Sequence, residues 1–166
     1  LALQVAGAAE YRLGNLGTAE TFLGKALQAA PELPIARRML AQIYLRTGQP
    51  QKTLDTLGPM LNERADAGSL QLAAEAHLQN GNAKEAEALF QRAAKLKPDD
   101  TRIRTALALS EFSKGKTDSA ITELESIASH DKGALAELAL VSAHLRKKEI
   151  DKALKVIDSL EKKQPD

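Results

Sequence analysis

The sequence predicts an all-α protein, a right-handed α-α superhelix of about five helix-turn-helix repeats, and three observations carry that reading. First, aromatics make up only 3% of the 166 residues and Trp is absent, so the core must be built from Leu, Ala, Ile and Val, a palette suited to closely spaced helices. Second, Gly14, Gly48, Gly81 and Gly115 recur at intervals of 34, 33 and 34 residues. Each follows a run rich in Leu and Ala and precedes a polar residue, the chemistry of a helix C-cap entering a tight turn. Third, Ala19, Thr53, Ala86, Ala120 and Ala153 hold the same spacing about five residues beyond each turn. Pro31, Pro98 and Pro165 close three of the units, where proline stops one helix and lets the next begin.

The units run over 1–33, 34–66, 67–100, 101–133 and 134–166, and the expectation is one array without a second domain. The first places helices at 2–13 and 16–29, with Gly7 and Ala26 as small contact residues. The second places them at 34–47 and 50–64, and Pro59 should kink or shorten the latter. In the third, at 67–80 and 83–97, apolar residues recur at three and four positions, as Leu70, Ala73, Ala74, His77 and Leu78, then Ala86, Leu89, Phe90 and Ala93. The fourth follows at 101–114 and 117–130 and the fifth at 134–147 and 150–163. Turns of two or three residues make each pair antiparallel. The chain starts inside a helical pattern, so it is expected to be an internal fragment of something longer, with apolar end faces that drive association.

In-phase features of this kind resemble the tetratricopeptide repeats. The resemblance rests on a large and a small residue on the first helix (Leu40-Ala41, Leu107-Ala108), a Gly turn, then Ala86, Phe90, Ala93 and a closing Pro98. Departures are Thr53, Met60 and Ala65 in the second unit, Lys132 for the closing Pro of the fourth, and Lys148 for the turn glycine of the fifth. Those units are expected to be looser. The strings ARRMLAQIYLRTGQPQKTLDTLGPML and HLRKKEIDKALKVIDSLEKKQPD further resemble the tetratricopeptide-repeat lipoproteins of bacterial PEP-CTERM/exosortase systems, whose genes accompany exopolysaccharide production. That narrower resemblance implies a periplasmic protein, anchored to the outer membrane through a lipid-bearing N-terminus outside these residues. Without Cys to report on redox, a cytoplasmic location remains open.

The residues point away from catalysis, and neither a metal nor a cofactor is expected. His77 and His144 occupy one register position two units apart, too far to share an ion, and are read as core imidazoles; His130 is read as a helix C-terminal cap. No HExxH, GxSxG, P-loop or GxGxxG string occurs. Net charge is +1 overall and −1, +2, −1, 0 and +1 by unit, so no stripe of phosphate contacts develops and nucleic acid is not expected as a partner. The uncharged opening of nine residues is too short to span a membrane.

What remains is the face of the first helices, which line a concave groove when such pairs stack. By the family resemblance it holds Tyr11, Arg38, Gln42, Leu45, Gln71, Glu75, Leu78, Thr105, Leu109, Phe112, Leu138, Ser142 and Leu145. Within it Tyr11, Leu45, Leu78, Phe112 and Leu145 form a row. A row that binds an apolar peptide leaves its central Leu78 and Phe112 partly exposed, whereas a packing row buries both. The chaperone-carboxylate subtype is not expected, because Asn15, Asn62, Asn80 and Asn82 fall in turns or on second helices. The implied function is a non-catalytic scaffold for a protein or peptide, within an exopolysaccharide or PEP-CTERM protein export system. The alternative is a carbohydrate-binding or enzyme-associated module of polysaccharide assembly, for which only Tyr11 and Phe112 offer aromatic platforms.

Overall fold

The computed structural model describes residues 1–131 and 133–163, so Lys132 and Pro165 lie outside the described residues. All regular structure among those residues is helical. The chain divides into two compact units, Leu1–Ala93 and Ala94–Asp166. In the first, α1 (Ala2–Arg12) pairs with α2 (Leu16–Ala29), and α3 (Pro34–Arg46) with α4 (Pro50–Leu57). A 3₁₀ turn at Gly58–Met60, α5 (Ala67–Gln79) and α6 (Ala83–Leu96) follow, the last turn of α6 running past the division. The second holds α7 (Thr101–Ser113), α8 (Thr117–His130), α9 (Leu135–Arg146) and α10 (Ile150–Lys163), with α7 against α8 and α9 against α10.

The glycine spacing therefore places the helix boundaries to within about a residue, except in the second unit. There α4 stops at Leu57, well short of the expected 64. Pro59 has no N–H to give and its ring crowds the preceding turn, so the chain tightens into the 3₁₀ turn instead. Thr53, standing where the other units have Ala, is fully buried, and its hydroxyl donates to the Ala41 carbonyl at 3.3 Å and the Gln49 carbonyl at 3.2 Å.

All five intra-pair turns share one closure. Gly14, Gly48, Gly81 and Gly115 have φ of 81, 69, 78 and 87°, and Lys148 takes the same place at 60°. The N–H of the next residue reaches back five positions in each case: Asn15 to the Glu10 carbonyl, Gln49 to Tyr44, Asn82 to His77, Lys116 to Glu111 and Glu149 to His144, at 2.8–3.1 Å. This is the paired closure that satisfies carbonyls at a helix end, and its left-handed residue is why glycine marks the period.

Packing within and between pairs is carried by small residues. At Gly7 an added Cβ would sit 2.6 Å from Leu23 Cγ, so α1 and α2 touch through the missing side chain. Ala41, Leu57 and Ala73 form one cluster, and Ala108, Leu124, Ala139 and Leu140 another. Ala19, Ala86 and Ala120, the residues of the repeating alanine series, are fully covered.

Candidate partner-binding face

The first helices of each unit place the residues of the expected groove in different surroundings. On α1, Tyr11 lies under a cation: the Arg46 guanidinium carbon is 5.6 Å from the ring centroid and its Nη1 is 3.4 Å from the hydroxyl. On α3, Arg38 pairs with Asp66 at 2.9 Å. Asp66 in turn caps α5, accepting from the Ser69 N–H at 3.1 Å and the Ser69 hydroxyl at 2.7 Å. Burial alone would raise the Asp66 carboxyl, but the Ser69 bonds and the Arg38 guanidinium outweigh it and hold it below its usual range. Gln42 is half-buried, and on α5 Gln71 donates to Glu75 at 2.9 Å.

The apolar row divides. Leu45 is 8% exposed, beneath α5, where Gln79 donates to its carbonyl at 3.4 Å. Leu78, one repeat later, is 46% exposed. In the second unit Phe112 is 7% exposed and packs with Ala120 and Ala143, while Leu145 is 49% exposed and Leu138 57%. The structure thus fits neither outcome posed for Leu78 and Phe112: the leucine is open and the phenylalanine is core. With Phe112 buried and Tyr11 covered by Arg46, neither aromatic is the open platform that the carbohydrate reading needs. Thr105 is buried with its hydroxyl unpartnered, Leu109 packs against the Ala108–Leu124 cluster, and Ser142 is exposed. The open part of the face is therefore Gln42, Gln71, Glu75 and Leu78 on the first unit, and Leu138, Ser142 and Leu145 on the second.

A set of side-chain clasps went unread in the sequence. At four of the five turns the residues whose backbones close the turn also join through their side chains: Asn15 to Glu10 at 2.8 Å, Asn82 to His77 at 3.5 Å, Lys116 to Glu111 at 3.5 Å and His144 to Glu149 at 2.8 Å. A carboxylate only accepts, so the His144 Nδ1–H donates to Glu149. That bond, then Lys152 and Lys147, holds the Glu149 carboxyl below its usual range despite some desolvation. The polar pair at i and i+5 across these four turns is the signal that identifies the clasp. His130 ends α8 and its Nδ1 lies 2.9 Å from the Ser126 carbonyl. No group of His, Cys, Asp and Glu among the described residues is arranged to hold a metal.

Lys163, in the last turn of α10 beside Lys162, is anchored. Its ammonium meets Glu137 Oε1 at 2.5 Å and the Ala128 and Gly133 carbonyls at 3.1 and 3.3 Å. Glu137 is 4% exposed, its Oε2 has no hydrogen-bond partner among the described residues, and it borders a cavity of about 310 Å³ between α8, α9 and α10.

The chain is similar to known proteins along its whole length. The profile described as Tetratricopeptide repeat matches residues 72–134 and 105–166, and one described as Anaphase-promoting complex, cyclosome, subunit 3 matches 12–93. Among solved structures, TTC0263, a thermophilic TPR protein of Thermus thermophilus, superposes with a TM-score of 0.83 at 20% identity, over 98% of this chain and 90% of that one. YrrB, described as a TPR protein with an unusual peptide-binding site, gives 0.68 at 20% identity, over 99% and 86%. The Cut9-Hcn1 hetero-tetramer of the APC/C gives 0.83 at 16% identity, over 98% of this chain and 33% of that one. No curated protein sequence matches.

Proposed function

Because the chain belongs to the tetratricopeptide repeat family, whose members generally mediate protein-protein interactions, we propose that it is a non-catalytic scaffold holding one protein or peptide partner on the open face of its first helices. The observation that carries this reading is the solvent-facing mixture on α5, where Leu78 stands 46% exposed beside the hydrogen-bonded Gln71 and Glu75. An exposed leucine flanked by amide and carboxylate groups supplies an apolar anchor with polar groups to fix a backbone. The peptide-binding site named for YrrB supports the same class of partner. The five pairs are proposed to act as one array, which a single unfolding transition supports and two separate transitions overturn.

The narrower part of the proposal places the scaffold in a bacterial exopolysaccharide or PEP-CTERM protein export system, in the periplasm and tethered to the outer membrane. Its support is the resemblance of the strings around Tyr44 and Lys155. No helix among the described residues is long and apolar enough to cross a membrane, so any tether lies elsewhere. Exosortase or polysaccharide-assembly genes beside this gene support the assignment, and a neighbourhood without them overturns it.

Binding is tested by selecting linear peptides from a displayed library on the immobilised chain and measuring affinity by fluorescence anisotropy. Leu78→Ser is expected to weaken a selected peptide about tenfold, near 1.4 kcal/mol. Peptides indifferent to Leu78→Ser, Gln71→Ala and Glu75→Ala together would refute the site.

A further inference from the structure

The residue just before the left-handed turn position is Leu13, Thr47, Asn80, Lys114 or Lys147 in the five pairs. Only Asn80 places a side-chain carbonyl carbon there that the next backbone nitrogen can reach, because closure between its Cγ and that nitrogen makes a five-membered succinimide ring. A side chain on the following residue crowds the nitrogen and slows the closure, and glycine has none. Of the four asparagines, Asn15, Asn62 and Asn82 precede Leu16, Glu63 and Ala83, and Asn80 alone precedes glycine. Apart from its chain neighbours, nothing lies within 4 Å of where a Gly81 Cβ would stand, and residues 78–85 are all exposed.

The closed turn withholds the nucleophile. The Gly81 N–H donates to the Leu78 carbonyl at 3.0 Å and the Asn82 N–H to the His77 carbonyl at 2.8 Å, while Asn80, at φ −80° and ψ −1°, continues the helical backbone. Attack requires the Gly81 nitrogen to lose its proton and swing toward Cγ, which breaks the bond to Leu78 and rotates Asn80 out of its helical ψ. Because every residue from 78 to 85 is already exposed, that opening uncovers little apolar surface and belongs to the low-cost end of the chain's local fluctuations.

We propose that Asn80 is a self-modifying site whose reaction is gated by opening of the α5–α6 turn. The Gly81 nitrogen gives its proton to solvent and bonds to Asn80 Cγ; the bond from Cγ to the side-chain nitrogen breaks, and that nitrogen takes up a proton and leaves as ammonia. Water then opens the ring. Addition at Cγ gives aspartate, and addition at the backbone carbonyl carbon gives isoaspartate, so the sum is one water consumed and one ammonia released with no change of oxidation state. Either product sets a carboxylate at the C-terminal end of α5, where the helix dipole disfavours it. Isoaspartate also lengthens the main chain by one methylene at the point where the bonds to Leu78 and His77 must close, so a transient opening becomes a lasting one.

Ageing the folded chain at neutral pH and physiological temperature tests this, with the tryptic peptide 65–84 followed by mass spectrometry for the exchange of NH for O and the change placed by fragmentation. Isoaspartate is read by methyl transfer from S-adenosylmethionine with isoaspartyl methyltransferase. The free synthetic 65–84 peptide gives the ungated rate. Asn80 is expected to convert in the folded chain, at least about tenfold more slowly than in the peptide. Asn82→Pro, which removes the N–H bonded to His77 and is checked for retained helicity by circular dichroism, should narrow that ratio, and Asn80→Gln should abolish the change. The isoaspartate form, separated by anion exchange, should melt below Asn80→Asp, which has the charge without the added methylene. A folded chain that reacts as fast as the peptide, one whose Asn80 stays intact while the peptide converts, a ratio unmoved by Asn82→Pro in a folded variant, or an isoaspartate form as stable as Asn80→Asp overturns the proposal.

Discussion

Replacing Lys148 with glycine tests the account of the turns. Lys148 is the only described residue other than glycine with positive φ, at 60°, in a turn whose hydrogen bonds match those at Gly14, Gly48, Gly81 and Gly115. Holding a side-chain-bearing residue in the left-handed region costs roughly 1–2 kcal/mol. Glycine removes that strain but brings extra freedom to the unfolded chain, worth about 0.5–1 kcal/mol. The Lys148 side chain is exposed, so the balance is set by the backbone: Lys148→Gly should stabilise by about 0.5–1 kcal/mol, raising the melting temperature by ~1–4 °C. Gly115→Ala is the converse, since nothing lies within 4 Å of a Cβ there and φ is 87°. The strain, less the freedom that alanine removes from the unfolded chain, leaves an expected net cost of about 0.5–1 kcal/mol. Urea denaturation with unchanged slope measures both. A Lys148→Gly midpoint below wild type, or a Gly115→Ala midpoint equal to it, would refute the reasoning.

The buried alanines and the divided row give further tests. Ala86 is fully covered, so Ala86→Leu should cost about 1–3 kcal/mol by overpacking, and a loss below ~0.5 kcal/mol would contradict the register. Gly7→Ala gains about 1 kcal/mol of helix propensity but drives a Cβ into the fully buried Leu23, so calorimetry should show net destabilisation. Phe112→Ala should cost about 3–5 kcal/mol and Leu78→Ala less than ~1 kcal/mol; equal losses would mean that the two share one environment. The Glu149 carboxyl is held low in the folded chain, so its stabilisation is present above the unfolded glutamate pKa, about 4.3, and is lost as pH falls through the lower folded value. Glu149→Gln should therefore melt below wild type at neutral pH and converge with it in acid, whereas a gap that persists in acid is inconsistent with the ion's involvement.

The helix pairs were legible because three local rules agree at one spacing: a left-handed turn residue, a small residue five positions on, and apolar residues on one helical face. Even Pro59 announced the shortening of α4. Exposure along the binding face was not legible, since it depends on what the neighbouring helix brings. Leu45 and Leu78 occupy the same register position with the same side chain, yet α5 reaches over the first and leaves it 8% exposed against 46%. The anchoring of Lys163 escaped for a similar reason. In sequence it is one of a run of charged residues, and only the placement of Glu137 and of the Ala128 and Gly133 carbonyls on neighbouring segments makes it a half-buried tie.

The uniform closure of the five turns bears on how such a chain lengthens. Each pair closes its own turn internally, by the backbone bond that returns five residues and the shorter one from the turn residue beside it. Duplicating or deleting one period moves a finished turn from place to place and strands no carbonyl. A cut through a helix would instead leave up to four donors or acceptors without partners. Copying errors that respect the period are thus the ones that leave every turn closed.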